Sequence, residues 1–275
     1  MNQPKGPLRS NSGGLEAVKG YFFGQRLLVQ AVLEGITMSR QTRKYTYDFR
    51  GECAIAAAGS GAGFPFVKAD TSSGGAPTVG GLLGGGLRTL LAATSEVENV
   101  CVYMGDVLSF DIDEIVCVEF IVKTVATLDS ATSLAFGLCS ARNDAIDSLT
   151  NHASFRCIGD NSVVVETDDG TTDLDDKPTG LTLGATWKRF RIDFASRNTT
   201  LEPPSVSLGR KSNIEFYGAN DNGSLRRVAS GTRFDMSAAT GGLQLYWQLQ
   251  KTADTNTDNL DVLECSIEVS LPAYA

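Results

Sequence analysis

The chain has 275 residues, a net charge of −8 and 42% hydrophobic residues. This length suits one large all-β domain, or such a domain with an appendage, and it needs no disulfide or metal to hold its core. The acidic balance argues against nucleic-acid binding by the body of the protein. No apolar run is long enough to span a bilayer and no signal sequence is recognisable, so we expect a soluble protein without membrane contact, made in a cytosol.

The leading segment differs in charge from the rest of the chain. Residues 1–50 contain eight basic and three acidic side chains, a balance of +5, which leaves −13 on the remaining 225 residues. Residues 1–14 are rich in Pro, Gly, Ser and Asn and cannot offset the entropy of folding by burial, so they form an arm or tail. A basic segment on an acidic body suggests that the two parts meet different surroundings.

Residues 15–36 are the most apolar part of this segment, and two structures fit them. Leu15, Val18, Phe22, Arg26, Val29 and Leu33 fall near one helical stripe. However, Gly20 and Gly24 each weaken a helix by roughly 1 kcal/mol relative to Ala, and two short strands with a bend fit equally well. The segment packs on the protein's own sheet or docks on a partner, and the sequence leaves both open.

Strand patterns begin at residues 45–49 and dominate the rest of the chain. Residues 53–86 are rich in Gly, Ala and Ser but lack the Gly-Lys-Ser or Gly-Lys-Thr of a phosphate loop, so we expect their glycines to serve turns at the rim of a sheet. Further strands are predicted at 87–92, 97–104, 108–110, 114–125, 133–140, 152–158, 187–194, 213–219, 225–229, 243–251 and 260–271. The Asp168-Asp169-Gly170 turn predicts a hairpin between 162–167 and 171–175.

The last two strands show which faces are apolar. Leu243, Leu245, Trp247 and Leu249 alternate with polar residues, as do Leu263, Cys265, Ile267 and Val269. One apolar face per strand and almost no helix after residue 36 predict an all-β fold, a two-sheet antiparallel jelly-roll sandwich over residues 42–275 with an N-terminal arm of residues 1–41. We expect the strand at 45–49 to pair with the C-terminal strand.

The six cysteines give a prediction about redox state. They are Cys53, Cys101, Cys117, Cys139, Cys157 and Cys265. None is close enough to another to form a Cys-x-x-Cys pair, and most lie inside apolar runs. We therefore expect reduced, buried thiols that act as small hydrophobic side chains.

Several candidate chemical sites are weak. Glu264 and Glu268 share one strand face, as a glycosidase pair would, but no Glu-x-Asp-x-x-Glu cluster of the laminarinase type is present. The acidic run 168–176 suggests calcium, although Asp is also common in hairpin turns. His152 is the single histidine and lies beside no motif, so we expect it at the surface or partly packed. Neither a metal nor a cofactor is expected.

The two tryptophans bear on sugar binding. Trp187 and Trp247 both fall in predicted core strands, and Trp247 aligns with the apolar face of its strand. A sugar-stacking role needs at least one of them to face outward. Two or more exposed aromatic rings on one concave sheet would favour a carbohydrate-binding function.

The region from about Leu108 onward resembles the concanavalin A-like (laminin-G-like) jelly roll of structural proteins of tailed bacteriophages. The residues that carry the resemblance are specific in their order: Asp48-Phe49, Val118-Glu119-Phe120, Phe136-Gly137-Leu138, Gly184-Ala185-Thr186-Trp187, Phe190-Arg191-Ile192, Ile214-Glu215-Phe216-Tyr217, Gly242-Leu243-Gln244-Leu245 and the final strand, 260–269. The resemblance implies a head decoration (cement) protein, or a fibre or spike component. It supplies no catalytic residues, so we expect a protein that is not an enzyme.

The functional prediction is therefore a virion decoration protein on the capsid surface, made in the host cytoplasm, that stabilises the phage head through its N-terminal arm. Aromatic and arginine side chains dominate protein interfaces. The expected partner-binding residues are Tyr21, Phe22, Phe23, Arg26, Leu27, Arg40 and Arg43. The expected partners are the major capsid protein and further copies of the chain, as a dimer or trimer. The alternative is a carbohydrate-binding module of a fibre, spike or adsorption structure, with a glycan as its ligand.

Overall fold

The computed structural model describes residues 42–50, 65–107, 109–194, 210–219 and 223–270. The predicted arm, residues 1–41, and the helix-or-strand alternatives for residues 15–36 lie outside these ranges. No helix in the described ranges is long and apolar enough to cross a membrane.

The described residues form sixteen strands and two short 3-10 turns, with no α-helix. The strands are β1 (Thr42–Asp48), β2 (Val67–Thr71), β3 (Thr78–Gly81), β4 (Leu87–Leu90), β5 (Glu96–Tyr103), β6 (Phe110–Asp111), β7 (Ile115–Thr124), β8 (Thr132–Cys139), β9 (His152–Ile158), β10 (Ser162–Asp168), β11 (Asp173–Thr182), β12 (Lys188–Asp193), β13 (Glu215–Ala219), β14 (Leu225–Val228), β15 (Gly242–Asp254) and β16 (Asn259–Ser270). The 3-10 turns are Ile146–Ser148 and Arg210–Ser212.

Two antiparallel sheets of eight strands each build the sandwich. Sheet I has the order β14-β13-β12-β7-β16-β4-β3, and β1 pairs with the remaining length of β16. Sheet II has the order β11-β10-β9-β8-β15-β5-β2, and β6 pairs with one end of β15. The predicted all-β two-sheet jelly roll is therefore confirmed.

The core lies between the inner faces of the two sheets. Leu243, Leu245, Trp247 and Leu249 of β15 all point into it, as their alternation predicts. A chain of aromatic contacts joins the sheets: the Phe120 and Phe136 ring centroids are 5.6 Å apart, and Phe136 is 5.3 Å from Phe155. Aromatic pairs at such distances add to the free energy gained by burying their area.

The chain termini of the domain meet as expected. β1 pairs with β16 in a continuous register in which Tyr45 is opposite Ile267. Tyr45 and Tyr47 pack against the core from this position, while the strand as a whole stays largely exposed. β1 is therefore an edge strand of sheet I along this part of β16.

Two bulges shift the predicted alternation. Val262 and Glu264 of β16 pair with consecutive residues of β7, so Leu263 is an extra residue in the ladder. Consequently Val262 is buried in the core and Leu263 is only half-buried, the reverse of the predicted arrangement. β7 has a similar irregularity near Val116, so Ile115 rather than Val116 continues its core face. An inserted residue exchanges the two faces of a strand beyond it.

Most of the remaining differences between the predicted and the observed strands lie at the edges of the sheets. β2 and β3 fall in the stretch predicted to be irregular; both are short, carry polar or glycine residues and show little alternation. The glycines do serve a tight turn, because Gly84, Gly85 and Gly86 all have positive φ. The predicted Asp-Gly hairpin is confirmed as β10–β11. β11 is an edge strand with two register irregularities, and it contains Pro178.

The described cysteines are free thiols. They are Cys101, Cys117, Cys139, Cys157 and Cys265, all of them buried. Burial raises the pKa of Cys117 and of Cys157 to about 12, which keeps these thiols protonated and unreactive at neutral pH. Cys53 lies outside the described residues.

Candidate functional site

The outer face of sheet II has a row of small side chains along its central strand. The residues that β8 turns outward are Ser133, Ala135, Gly137 and Cys139. Larger polar residues flank this row, so that Gly137 lies between Ser154 of β9 and Tyr246 of β15. Because side chains alternate along each strand, the result is a groove with a narrow floor, the β8 groove.

The connection between β8 and β9, residues 140–151, covers this groove and is called the covering loop below. Its Ile146 and Leu149 are buried in a second apolar cluster together with Tyr246 and Cys139. Side-chain amides of β15 fix its main chain, because Gln248 Nε2 donates to Asn143 O at 3.0 Å and to Asp144 O at 3.2 Å. The groove is thus filled by the protein's own chain.

A buried ionic cluster lies at one side of the covering loop. His152 is 2% exposed, with Nε2 at 3.0 Å from Glu166 Oε1 and Nδ1 at 2.9 Å from Leu149 O. Arg156 donates through Nη1 to Glu166 Oε2 and through Nη2 to Asp147 of the covering loop. β9 and β10 position these groups, since Ser154 pairs with Glu166 and Asp168 with His152.

The expectation that His152 lies at the surface or only partly packed is wrong. Its strand position points it outward, where a solvated side chain is normal, but the covering loop buries it. No local pattern around residue 152 reveals this. The register of β9 against β10 brings Glu166 within hydrogen-bonding reach of His152.

The electrostatics of the cluster follow from burial and pairing. Burial alone would raise the pKa of Glu166, but the hydrogen bonds and charges of His152 and Arg156 outweigh it, so the pKa lies below its usual value. On neighbouring β11, Asp173 is exposed, but partial loss of hydration and the adjacent Asp175 carboxyl raise its pKa to about 6. The edge of sheet II therefore holds more negative charge than Arg156 compensates.

This closed arrangement does not offer a catalytic carboxylate. Glu166 is 2% exposed, and its two oxygens are engaged by the His152 ring and the Arg156 guanidinium. A general acid or nucleophile has to reach a substrate atom, and a buried carboxylate held on both oxygens does not. The cluster ties the covering loop to the sheet through Leu149 O and Asp147.

The outer face of sheet I holds a second ionic cluster, centred on Glu119 of β7. Lys44 Nζ lies 3.0 Å from its carboxylate, Arg189 Nη2 lies 2.8 Å from both oxygens, and Arg191 Nη1 lies 3.5 Å away. Burial would raise the pKa of Glu119, but the hydrogen bonds from Arg189 and Lys44 lower it further than burial raises it. This face is open, since about half of the Arg189 and Lys44 side chains is exposed.

The predicted carboxylate pair lies on this same open face. Glu264 is 3.5 Å from Arg50 Nη2, and Glu268 accepts a hydrogen bond from Cys117 Sγ at 3.6 Å. Each is therefore engaged by a separate neighbour. Within the acidic run 168–176, Asp169 accepts hydrogen bonds from the backbone of Thr171 and Thr172 and so shapes the hairpin turn. The described ranges contain no group of three or more His, Cys, Asp or Glu residues that could hold a metal.

The tryptophans differ from each other. Trp247 is fully buried, as predicted, and its Nε1 donates to Thr89 Oγ1 at 3.0 Å. The prediction of a core strand position for Trp187 is wrong: it precedes β12, is half-buried and has the Lys123 ammonium 4.5 Å from its ring centroid. Among the described residues the exposed large hydrophobics are Leu83, Val97, Val107 and Ile158, none of them aromatic.

Of the predicted partner-binding residues, the structure describes one. Arg43 lies on the exposed edge strand β1, with its guanidinium carbon 5.0 Å from the centroid of the Tyr45 ring. The others lie outside the described ranges: Tyr21, Phe22, Phe23, Arg26, Leu27 and Arg40. The role of all seven residues in partner binding stays a prediction.

No family model matches the chain, and no curated protein matches it. Solved structures do. A protein of unknown function from Shewanella oneidensis MR-1 aligns with a TM-score of 0.54 and 11% identity over 100% of this chain and 99% of its own. Peanut lectin, solved with a nine-residue peptide, aligns with a TM-score of 0.51 and 8% identity over 85% of this chain and 100% of its own.

A third structure, described as a native glycosidic hydrolase, aligns with a TM-score of 0.50 and 10% identity over 84% of this chain and 97% of its own. Identities this low show the fold alone, because one fold hosts many functions. The chain is an all-β, legume-lectin-like and concanavalin A-like jelly roll.

Proposed function

We propose that the protein is a non-catalytic structural component of a phage virion, a head decoration protein that binds the capsid through residues 1–41. The observation that carries the proposal is β1. This strand begins at Thr42, lies at the edge of sheet I, is largely exposed and carries Arg43 and Lys44. Thr42, where the described body begins, therefore lies at an accessible sheet edge.

The described body supports a scaffold role. Its most polar clusters, around Glu166 and Glu119, are internally ion-paired, and the β8 groove is filled by the covering loop. Every aromatic side chain in the described ranges is buried or half-buried, Trp187 among the half-buried ones. We therefore assign capsid attachment to the leading segment, residues 1–41.

The leading segment and the body differ in the sign of their net charge. Residues 1–41 contain five basic and two acidic side chains, a balance of +3, which leaves −11 on residues 42–275. A segment of net charge +3 is attracted to acidic surfaces, which speeds its encounter with an acidic partner. Aromatic and arginine side chains at positions 21–27 then contribute the anchoring contacts. Many copies bound to one shell stabilise it by mass action.

A deletion tests the proposal. The variant that begins at Gln41 should keep its melting temperature yet lose sedimentation with capsids of the phage that encodes it. Replacing Tyr21, Phe22 and Phe23 by Ser should weaken capsid binding at least tenfold. Replacing the exposed body residues Leu83 and Val107 by Ser is the matched control and should leave binding unchanged. Capsid binding by the truncated protein at full affinity would refute the proposal.

The second candidate is a carbohydrate-binding module of a fibre, spike or adsorption structure. The observation that favours it is the alignment with the full length of peanut lectin. Screening the full chain against immobilised glycans of the host envelope tests it. Retention on a glycan that free sugar competes away, together with no capsid binding, would replace the decoration role by this one.

A further inference from the structure

A charged pair lies on the inward faces of β5 and β15, at positions where alternation predicts apolar side chains. Lys251 follows Leu249 on the core face of β15, and Glu98 is directly opposite it on β5. Both side chains are fully buried, and Lys251 Nζ lies 3.6 Å from Glu98 Oε1. Burying a charge is costly unless the charge is paired and hydrogen-bonded. The surrounding chain therefore has to supply further partners for both groups.

Three main-chain carbonyl oxygens surround the Lys251 ammonium. Nζ donates to Ala92 O, to Thr94 O at 2.8 Å and to Asn256 O at 3.3 Å. An ammonium has three hydrogens to donate and accepts none, so each hydrogen has one carbonyl oxygen. These three oxygens and Glu98 Oε1 together are called the oxygen cage below.

The residues of the oxygen cage are also held in place by hydrogen bonds that do not involve the ammonium. Glu98 Oε2 accepts from Ala92 N at 2.9 Å, and Glu98 Oε1 accepts from Thr94 Oγ1 at 2.6 Å. Thr132 Oγ1 donates to Asn256 Oδ1 at 3.0 Å. The cage is therefore preorganised for a positive charge, in the way that a ligand site is.

The distances and the charge of the oxygen cage select the class of cation. Calcium takes six to eight oxygens at about 2.3–2.6 Å and magnesium takes an octahedron at about 2.0–2.1 Å, so neither suits this wider set of four oxygens. Potassium is held in proteins by carbonyl oxygens that replace its hydration shell. An ammonium donates hydrogen bonds to the same oxygens. Because the cage contains one carboxylate, a single positive charge neutralises it.

We propose that the oxygen cage is a binding site for a monovalent cation and that Lys251 is its covalently attached occupant. The ammonium fixes the connection between β4 and β5, residues 91–95, to the connection between β15 and β16, residues 255–258. This rim of the sandwich is thereby held together by a cation that the chain itself supplies. A chain without the ammonium should take up a free cation of the same size and charge from solution.

Lys251→Ala opens the oxygen cage to a free cation. The variant leaves Glu98 buried without its cation, so its folding equilibrium constant should fall by about a hundredfold or more. n-Propylammonium replaces the atoms that are removed, and at about ten times its dissociation constant it should restore about tenfold. 1-Propanol has nearly the same shape without the charge and should restore nothing. Urea unfolding at constant ionic strength, adjusted with tetramethylammonium chloride, measures these effects.

Lys251→Met separates the charge from the rest of the side chain. Methionine fills the space of the lysine stem, so the space left is only as large as the ammonium group. Ammonium and potassium ions should therefore stabilise this variant about tenfold, again at about ten times their dissociation constants, whereas n-propylammonium should not. Lys211→Ala is the matched control, because Lys211 Nζ donates to Ala239 O at 2.7 Å and pairs with the exposed Asp113 carboxylate at 3.2 Å. Water can replace that ammonium, so no cation should stabilise the control.

The outcomes are decisive even if a variant is unfolded without added cation, because the same titrations then measure the recovery of folded protein by circular dichroism. Stabilisation of Lys251→Ala by n-propylammonium and of Lys251→Met by the small ions, with no effect on Lys211→Ala, supports the site. Equal effects of n-propylammonium and 1-propanol, equal effects of potassium and tetramethylammonium, or no effect of any cation on either variant would overturn it. The proposal is independent of capsid binding, which the deletion of residues 1–40 tests separately.

Discussion

The outer faces of the two sheets are built alike and end up in different surroundings. Each has one glutamate, Glu119 on sheet I and Glu166 on sheet II, that is hydrogen-bonded to two or more basic side chains. On sheet I the cations reach solvent, whereas on sheet II the covering loop excludes it. Whether a polar network on a sheet is buried therefore depends on whether a loop packs over it. The alternation of residues within a strand does not reveal such a loop.

The largest expected contrast comes from removing one arginine on each face. Arg156→Met leaves Glu166 buried with the His152 ring as its remaining partner and should lower the free energy of unfolding by about 3–5 kcal/mol. Arg189→Met leaves Glu119 beside Lys44 and solvent and should cost less than about 1 kcal/mol. Urea unfolding of both variants measures the difference. Equal losses would mean that the covering loop does not exclude water from the sheet II cluster.

The apolar side of the covering loop gives the next contrast. Leu149→Ala leaves a cavity above Tyr246 and Cys139 and should cost about 2–3 kcal/mol. Ile121→Ala, on the open face of sheet I beside Arg189, removes a half-buried side chain and should cost no more than about 1 kcal/mol. Thermal unfolding of the pair distinguishes them. A Leu149→Ala protein as stable as the Ile121→Ala protein would show that the covering loop packs loosely.

Strand alternation was sufficient to predict the architecture, because burial on one face needs only a period of two. The core positions of Leu243 to Leu249 followed from it. The pairing of β1 with β16 was predicted on a different ground, because the first and last strands of such jelly rolls are commonly neighbours. Alternation failed at Leu263, where a bulge exchanges the two faces, since no residue type marks a bulge there. It also missed β2 and β3, which are edge strands held by main-chain pairing and bury little side-chain area.

The candidate site was harder to predict for a different reason. His152 and Glu166 are fourteen residues apart, and their contact depends on the register of β9 against β10. The covering loop reads as a polar loop with two apolar residues, Ile146 and Leu149, and nothing local shows that these insert into a groove. The site is formed by contacts between segments that are distant in the sequence, so a pattern within one segment does not reveal it.

The smallest expected contrast is in the response to pH, which should have opposite signs on the two faces. The raised pKa of Asp173, about 6, means that the folded state binds its proton more tightly than the unfolded state, so stability falls as pH rises from about 4 to about 6. The lowered pKa of Glu119 adds stability above the usual glutamate range and loses it as pH falls below that range.

Single variants isolate the two responses. Because Asp173 is largely exposed, Asp173→Asn should stabilise the protein by under about 1 kcal/mol at pH 7 and have no effect at about pH 4. Glu119→Gln should destabilise it at pH 7 and have less effect at about pH 3. Urea midpoints at each pH provide the measurement. Parallel pH profiles for the two variants would contradict the assignment of opposite shifts.

The irregular edge strand β11 affects how the protein behaves at high concentration. An exposed strand with free N–H and C=O groups is a template on which other chains add, the first step toward amyloid-like fibres. Pro178 lacks an N–H, and the two register irregularities bend the strand away from a straight edge. Its aspartates repel an identical strand that approaches. Sheet II is therefore protected at β11 against growth into a fibre when many copies are made in one cell.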